Sequence, residues 1–213
     1  MNARNYSKEM DNIIGKLDTV PRLLLHSCCA PCSSTCLEAL TPYFDVTVLY
    51  YNPNITDKTE YDKRVLEEMK FIERLNRQNG FGNGNPYHPI EFMDGRYNTD
   101  EFWNIARGYE ECPEGGERCF RCYELRLQEA AVVALKGGYN YFTTTLTLSP
   151  LKNTSKLNEI GEKVALETGV AFLPSDFKKK NGYKRSIELS AEYDLYRQNY
   201  CGCVFSKRHD LKL

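Results

Sequence analysis

The chain of 213 residues has no stretch approaching the roughly 18 consecutive apolar residues of a membrane-crossing helix, no internal repeat and no low-complexity tract. Its first residues, Met1 to Leu17, are polar and charged and lack the apolar centre of a secretory leader. An excess of one charge is missing too: 28 basic side chains stand against 29 acidic ones, a formal net charge of −1. These absences argue against a helical membrane protein, a repeat scaffold and a uniformly basic nucleic-acid coat, while leaving room for a local basic patch. The expectation is a cytoplasmic chain long enough for one cored domain. In a reducing compartment its nine cysteines are not disulfide staples, and an odd number cannot pair completely within one chain. Metal ligation or redox chemistry is the better use for them.

Strand-like apolar runs alternate with helix-like segments. The first run, Arg22 to Ser27, ends at Cys28 and leads into a helix expected over Ser33 to Leu40; the second, Asp45 to Tyr51, ends at Asn52-Pro53-Asn54. A charged helix follows over Glu60 to Arg77, with Val65, Leu66, Met69, Ile72 and Leu75 read as its buried face. A loop, Gly80 to Asn85, precedes a short run, His88 to Phe92, which stops at Asp94. Helices over Asp100 to Arg107 and Tyr123 to Leu135 flank a loop that carries cysteines. The run Tyr139 to Thr145 meets Leu148-Ser149-Pro150 and a helix over Thr154 to Glu167, and the last run, Val170 to Leu173, meets Ser175-Asp176. This pattern predicts the α/β class: a parallel sheet with helices on both faces and the ligand site beyond the carboxyl ends of the strands. Cys28, Cys29, Asn52, Asn54, Asp94, Thr145, Ser149 and Asp176 are expected to converge on that rim. Residues 1–21 read as a helical extension, 22–206 as one catalytic domain and 207–213 as a basic tail.

The cysteines fall in three groups: Cys28-Cys29-x2-Cys32-x3-Cys36, Cys112-x6-Cys119-x2-Cys122 and Cys201-x-Cys203. A C-x2-C spacing lets Cys119 and Cys122 reach one metal from a single turn, and Cys28 with Cys29 are the best-placed partners for a four-thiolate site. Zinc and iron–sulfur both accept four thiolates, so spacing leaves the metal open. Cys32, near the positive end of the first helix, is a candidate second-metal ligand or redox thiol. Cys36 reads as core and Cys112 as a bystander. Cys201 and Cys203 close only a small strained ring, which Gly202 permits, so they form a candidate dithiol–disulfide relay, with extra ligands or idle thiols as the alternative.

The runs His26-Ser-Cys-Cys-Ala-Pro-Cys32, Tyr51-Asn-Pro-Asn-Ile55, Gly116-Glu-Arg-Cys-Phe-Arg-Cys-Tyr123, Thr143-Thr-Thr-Leu-Thr-Leu-Ser-Pro150, Asp176-Phe-Lys-Lys-Lys-Asn-Gly-Tyr183 and Leu195-Tyr-Arg-Gln-Asn-Tyr-Cys-Gly-Cys203 together resemble the cobalamin-independent epoxyqueuosine reductases, the QueH family. The resemblance runs from about Arg22 to Ser206. It implies a Rossmann-like domain of the adenine-nucleotide α-hydrolase type and reduction of epoxyqueuosine to queuosine at the wobble position of tRNA. It also implies a [4Fe–4S] cluster on Cys28, Cys29, Cys119 and Cys122 and a redox-active disulfide between Cys201 and Cys203. In contrast with the ATP-using relatives of that fold, the loop Cys28 to Cys32 holds no glycine to cradle a phosphate, which argues against nucleotide use.

Removing an epoxide oxygen takes two electrons and two protons. Asp94 and Asp176, at expected strand ends, are candidate acids, and a mononuclear iron near Cys32 is a candidate Lewis acid beside the cluster. His26, inside an apolar strand, reads as a satisfied core histidine. For tRNA, Lys178, Lys179 and Lys180, with Lys184, Arg185, Lys207 and Arg208 nearby, are candidate phosphate contacts, and Tyr51, Tyr183, Tyr196 and Tyr200 candidate stacking surfaces. The electron donor is not named by the sequence, and no membrane partner is expected. Two other readings remain: a thiol–disulfide oxidoreductase using Cys29 and Cys32, and a zinc-stabilised RNA-binding module.

Overall fold

In the computed structural model, which describes residues 4–81 and 88–207, the apolar runs pair as one five-stranded parallel sheet. The strands are β1 (Arg22–His26), β2 (Asp45–Tyr50), β3 (Glu91–Asp94), β4 (Tyr141–Thr144) and β5 (Ala171–Phe172), in the order β3-β2-β1-β4-β5. Around them lie α1 (Tyr6–Ile14), α2 (Ala30–Leu40), α3 (Lys58–Arg77), α4 (Thr99–Ala106), α5 (Glu117–Gly137), α6 (Thr154–Thr168) and α7 (Gly182–Glu192). The chain builds outward from β1 through β2 to β3, then returns to the other side of β1 for β4 and β5. Its direction reverses between β1 and β4, and the crevice at the carboxyl end of such a reversal is where parallel sheets take ligands.

Alternate residues of β1 feed two cores. Leu24 joins Leu127, Ala130 and Leu157 beneath α5 and α6, while Leu23 and Leu25 join Leu37, Leu40, Phe71 and Leu75 beneath α2 and α3. Each of these leucines is fully buried, a contribution of about 1.5–3 kcal/mol apiece. Met10 of α1 packs on the second core, so the helix expected ahead of the sheet is part of its cover. Among the described residues no helix is long and apolar enough to cross a membrane.

Three local expectations are corrected. The helix after β1 begins at Ala30 and not at Ser33, with Cys29 at its cap and Pro31 in its first turn, where a missing N–H costs little. Cys119 and Cys122 lie on the first two turns of α5 and not in a loop, because the helix starts directly after Gly116. On α3, Leu66 and Met69 are 52% and 46% exposed, whereas Arg64 and Glu68 are 1% and 0% exposed. The inward face of α3 meets polar loops beyond the strand ends there, and charged side chains find partners in them. A helix the sequence reading did not include, α7, starts after Lys180 and Asn181, both in the left-handed conformation (φ 53° and 63°), a start that helical periodicity does not signal. The loop Gly80 to Asn85 from residue 82 onward, and the tail from Arg208 onward, lie outside the described residues.

Candidate active site

The site is built on the crevice between β1 and β4. Cys28, just past β1, has its Sγ 3.6 Å from Oγ1 of Thr145, which opens a short 3-10 turn after β4. Below it His26 is fully buried, with Nδ1 2.9 Å from Thr144 Oγ1 and Nε2 3.0 Å from the Tyr51 carbonyl. Burial, helped by the Arg126 charge, pushes its pKa down to about 3. A neutral ring donates from Nε2 and accepts at Nδ1, so His26 staples three strands together, the satisfied core histidine expected.

Three thiols gather at the start of α2. The extended Cys29 caps the helix, and the N–H groups of Cys32 and Ser33 both donate to its carbonyl at 3.0 Å, which turns Cys32 back over the loop. The sulfurs of Cys28, Cys29 and Cys32 all lie within 4.8 Å of one another. Hydrogen bonds from Cys29 and Cys32 hold the Cys28 thiol well below its usual pKa, and the same contacts with Cys28 push those two thiols well above theirs. The triad thus carries one thiolate and resists a second, a conflict that a bound cation removes. These three residues could hold a metal ion. Gln198 adds an amide N–H donated to Cys29 Sγ at 2.7 Å.

The other four rim cysteines face them across a joint cavity. Cys28 and Cys32 line a cavity of about 140 Å³, and Cys119, Cys122, Cys201 and Cys203 line a narrower one; Cys201, Arg126, Lys152 and Glu114 belong to the walls of both. Burial pushes Cys122 up to about 11 and raises Cys119. Burial disfavours the charges of Arg126 and Lys152, yet the cysteine sulfurs beside them, the acidic Cys28 and Cys201 included, outweigh it and keep both cationic. Soft sulfur donors from three separate segments of the chain, with two cations to offset their charge, fit an all-thiolate metal centre.

Cys201 and Cys203 are free thiols with sulfurs 3.5 Å apart, and Cys201 Sγ lies 2.9 Å from Ser206 Oγ. The hydrogen bond between the two thiols makes Cys201 the acidic member and Cys203 the reluctant one. Gly202 has φ +109°, and a Cβ there would stand 2.7 Å from Ile55 Cγ1. The loop is tied down from α3 and the β2–α3 connection. Arg64, paired with Glu60 at 2.6 Å, donates to the carbonyls of Cys201 (3.3 Å) and Tyr200 (3.4 Å), and Asn54 Nδ2 also donates to Cys201 (3.4 Å).

Other expected residues are distributed unevenly. Cys36 is fully buried core, and Cys112 lies in the loop before α5, its carbonyl taking a hydrogen bond from Arg118. Asp94 is exposed and accepts from Tyr61 at 3.3 Å, and Asp176 pairs with Lys178 at 3.0 Å; neither lines either cavity. Lys178 turns inward to Asp176, the Thr147 carbonyl and Thr154, and Lys180 pairs with Asp11 of α1 at 2.7 Å, while Lys179 is exposed. Tyr183, 40% exposed, and Tyr200 line the larger cavity. Tyr51 is fully buried with its hydroxyl on Glu101, so it offers no stacking surface.

A family model described as Epoxyqueuosine reductase QueH matches residues 23–209. This chain belongs to the QueH family. It is 42% identical over 207 residues to the epoxyqueuosine reductase QueH of Staphylococcus epidermidis, covering 95% of this chain and 84% of that protein. It is 40% identical over 208 residues to the one from Streptococcus pyogenes (98% and 79%), and 36% identical over 190 residues to the one from Thermotoga maritima (86% and 89%).

Sequence reasoning missed four residues of this QueH site: Arg126, Lys152, Gln198 and Arg64. Signals for three were present. Arg126 follows Cys122 by one helical turn, Lys152 comes two residues after the Thr143–Pro150 motif, and Gln198 sits inside the Leu195–Cys203 motif. Arg64 gave none, because an arginine on a charged helix reads as solvated.

Proposed function

We propose that this chain is an epoxyqueuosine reductase, an oxidoreductase that converts epoxyqueuosine to queuosine at the wobble position of tRNA, the last step of queuosine biosynthesis. The observation that carries the reading is the pair of adjoining cavities lined by six cysteines and shared by two cations, in a chain of the QueH family. Cys28, Cys29, Cys119 and Cys122 are the proposed ligands of a [4Fe–4S] cluster, with Cys32 a ligand to an adjacent mononuclear iron. When bound, such a centre delivers electrons one at a time and polarises oxygen.

The residues of the chain supply the rest. Closure of the Cys201 and Cys203 thiols to a disulfide releases two electrons and two protons, the number that removal of one epoxide oxygen as water consumes. Arg126 and Lys152 offset the charge of the thiolates. Tyr183 at the cavity mouth offers a ring to an extruded base, and Lys179 a charge to the RNA backbone, with Lys178 and Lys180 holding the segment that presents them. An electron donor of unspecified identity returns the pair to the dithiol. Asp94 and Asp176 stay as candidate acids only if the crevice rearranges toward them on RNA binding.

The test is anaerobic reconstitution followed by incubation with epoxyqueuosine-containing tRNA and nucleoside mass analysis. Queuosine formed by a brown protein with iron and sulfide in four-iron ratio is the expected result. A colourless protein with stoichiometric zinc and no product would replace this reading with the RNA-binding module, and activity surviving loss of Cys119 and Cys122 with the oxidoreductase on Cys29 and Cys32.

A further inference from the structure

Opening an epoxide leaves its oxygen in need of a proton, and the expected acids Asp94 and Asp176 line neither cavity. The side chains common to both cavities are Cys201, Arg126, Lys152 and Glu114. Among them a guanidinium does not give up its proton in a protein. Glu114 is already engaged in an interaction of its own. Cys201 is committed to the relay. Lys152 differs from all three. It ends the turn that follows β4, its backbone N–H donating to Ser149 at 3.3 Å. That turn, whose first residue Thr145 touches Cys28, brings it to the crevice from β4. Among the described residues no carboxylate pairs with its ammonium, although it faces both cavities.

We propose that Lys152 is the catalytic acid of the deoxygenation, its ammonium protonating the epoxide oxygen as the first C–O bond opens. The inference rests on the reductase reading above. The balance is complete with the groups named: epoxide plus the Cys201 and Cys203 dithiol gives alkene, water and the disulfide. Both C–O bonds break, the two carbons gain two electrons, and the oxygen leaves with two protons. Lys152 gives one proton and recovers one from the dithiol, so it ends each cycle unchanged.

Two variants separate a proton donor from a fixed charge. Lys152→Arg keeps the cation and removes the transferable proton, and Lys152→Ala removes both while opening space for a small amine. With loaded protein and epoxyqueuosine-containing tRNA, the charge-preserving Lys152→Arg is expected to keep wild-type iron and sulfide content, visible spectrum and tRNA affinity, and the rate of Lys152→Ala is read per loaded centre. Both should lose about 100-fold or more in single-turnover rate, the scale of a general acid. Added methylamine should then restore rate to Lys152→Ala in proportion to its concentration and leave Lys152→Arg unmoved. Wild-type turnover by Lys152→Arg would overturn the proposal by showing that charge alone suffices. Failure of amine rescue in a Lys152→Ala protein that retains its metal and RNA affinity would overturn it as well, as would a comparable loss confined to Glu114→Gln. These results leave the reductase reading intact, whereas absence of queuosine from the wild type would remove both.

Discussion

Replacing Glu68 by Gln should stabilise this protein at neutral pH and leave it unchanged near pH 4.5. Glu68 is fully buried on α3 behind the Cys28 loop, with one oxygen accepting from Ser27 at 3.2 Å and the other unpartnered. Burial, reinforced by the Cys28 thiolate and by Glu67, raises its pKa from 4.5 to about 8 against the opposing Ser33 and Ser27 hydroxyls. Cys36 and Tyr50 complete its titratable surroundings. The folded chain therefore binds a proton that the unfolded chain releases above pH 4.5. Stability is lost as pH rises from 4.5 to 8 and levels off beyond, the sign opposite to that of a salt-bridged carboxylate. At 1.36 kcal/mol per pH unit, the penalty at pH 7 is about 3 kcal/mol, and about 5 kcal/mol above pH 8. Gln keeps an acceptor for Ser27 and never has to be protonated. Urea unfolding of the reduced, metal-free protein and of Glu68→Gln at pH 5, 7 and 8.5 measures the difference. A gap that does not widen with pH, or a variant less stable throughout, would refute the argument.

Other outcomes follow from the same geometry. Gly202→Ala forces a side chain into a left-handed backbone and against Ile55, at a local cost of about 1–3 kcal/mol from the backbone alone; titration against a glutathione redox buffer should show altered Cys201–Cys203 closure, and a wild-type potential would refute it. Arg64→Met strands Glu60 and two carbonyls and should cost about 3–5 kcal/mol in unfolding free energy. Leu66→Glu on the same helix should stay within about 0.5 kcal/mol because it is exposed, and the reverse ranking would restore the sequence's reading of the α3 face. Cys119→Ala should abolish iron loading, and full iron content would remove Cys119 from the ligand set. Cys201→Ser should keep its iron and lose multiple turnover; unchanged turnover would end the relay.

The α/β class and the cysteine-bearing rim were legible because apolar runs and their polar endings are local properties of the chain. His26 and Cys36 were legible for the same reason. Hidden from the sequence were the features decided by what lies opposite. Arg64 and Glu68 are buried because α3 faces loops, whereas hydrophobic periodicity assumes that it faces the sheet. Asp94 ends a strand as expected but at the sheet edge, and strand order, which sets its distance from β1, is not written in any one segment. The sequence left the role of Cys32 open, and the fold brings its sulfur within 4.8 Å of those of Cys28 and Cys29, since a helix turn begun at Ala30 folds it back.

The contacts that finish the site join residues far apart in the chain: Cys28 with Thr145, Cys29 with Gln198, Arg64 with Cys201, separations of 117, 169 and 137 residues. Contacts of that length form late in folding because the loops they close are costly. The Cys28, Cys29 and Cys32 triad, by contrast, spans a single helical turn. A chain still being made would present that triad as a nearly complete thiol claw well before Gln198, Cys201 and Cys203 exist to cover it. The order of synthesis therefore exposes the part of the site most attractive to stray metal first, and the segment that closes over it arrives last.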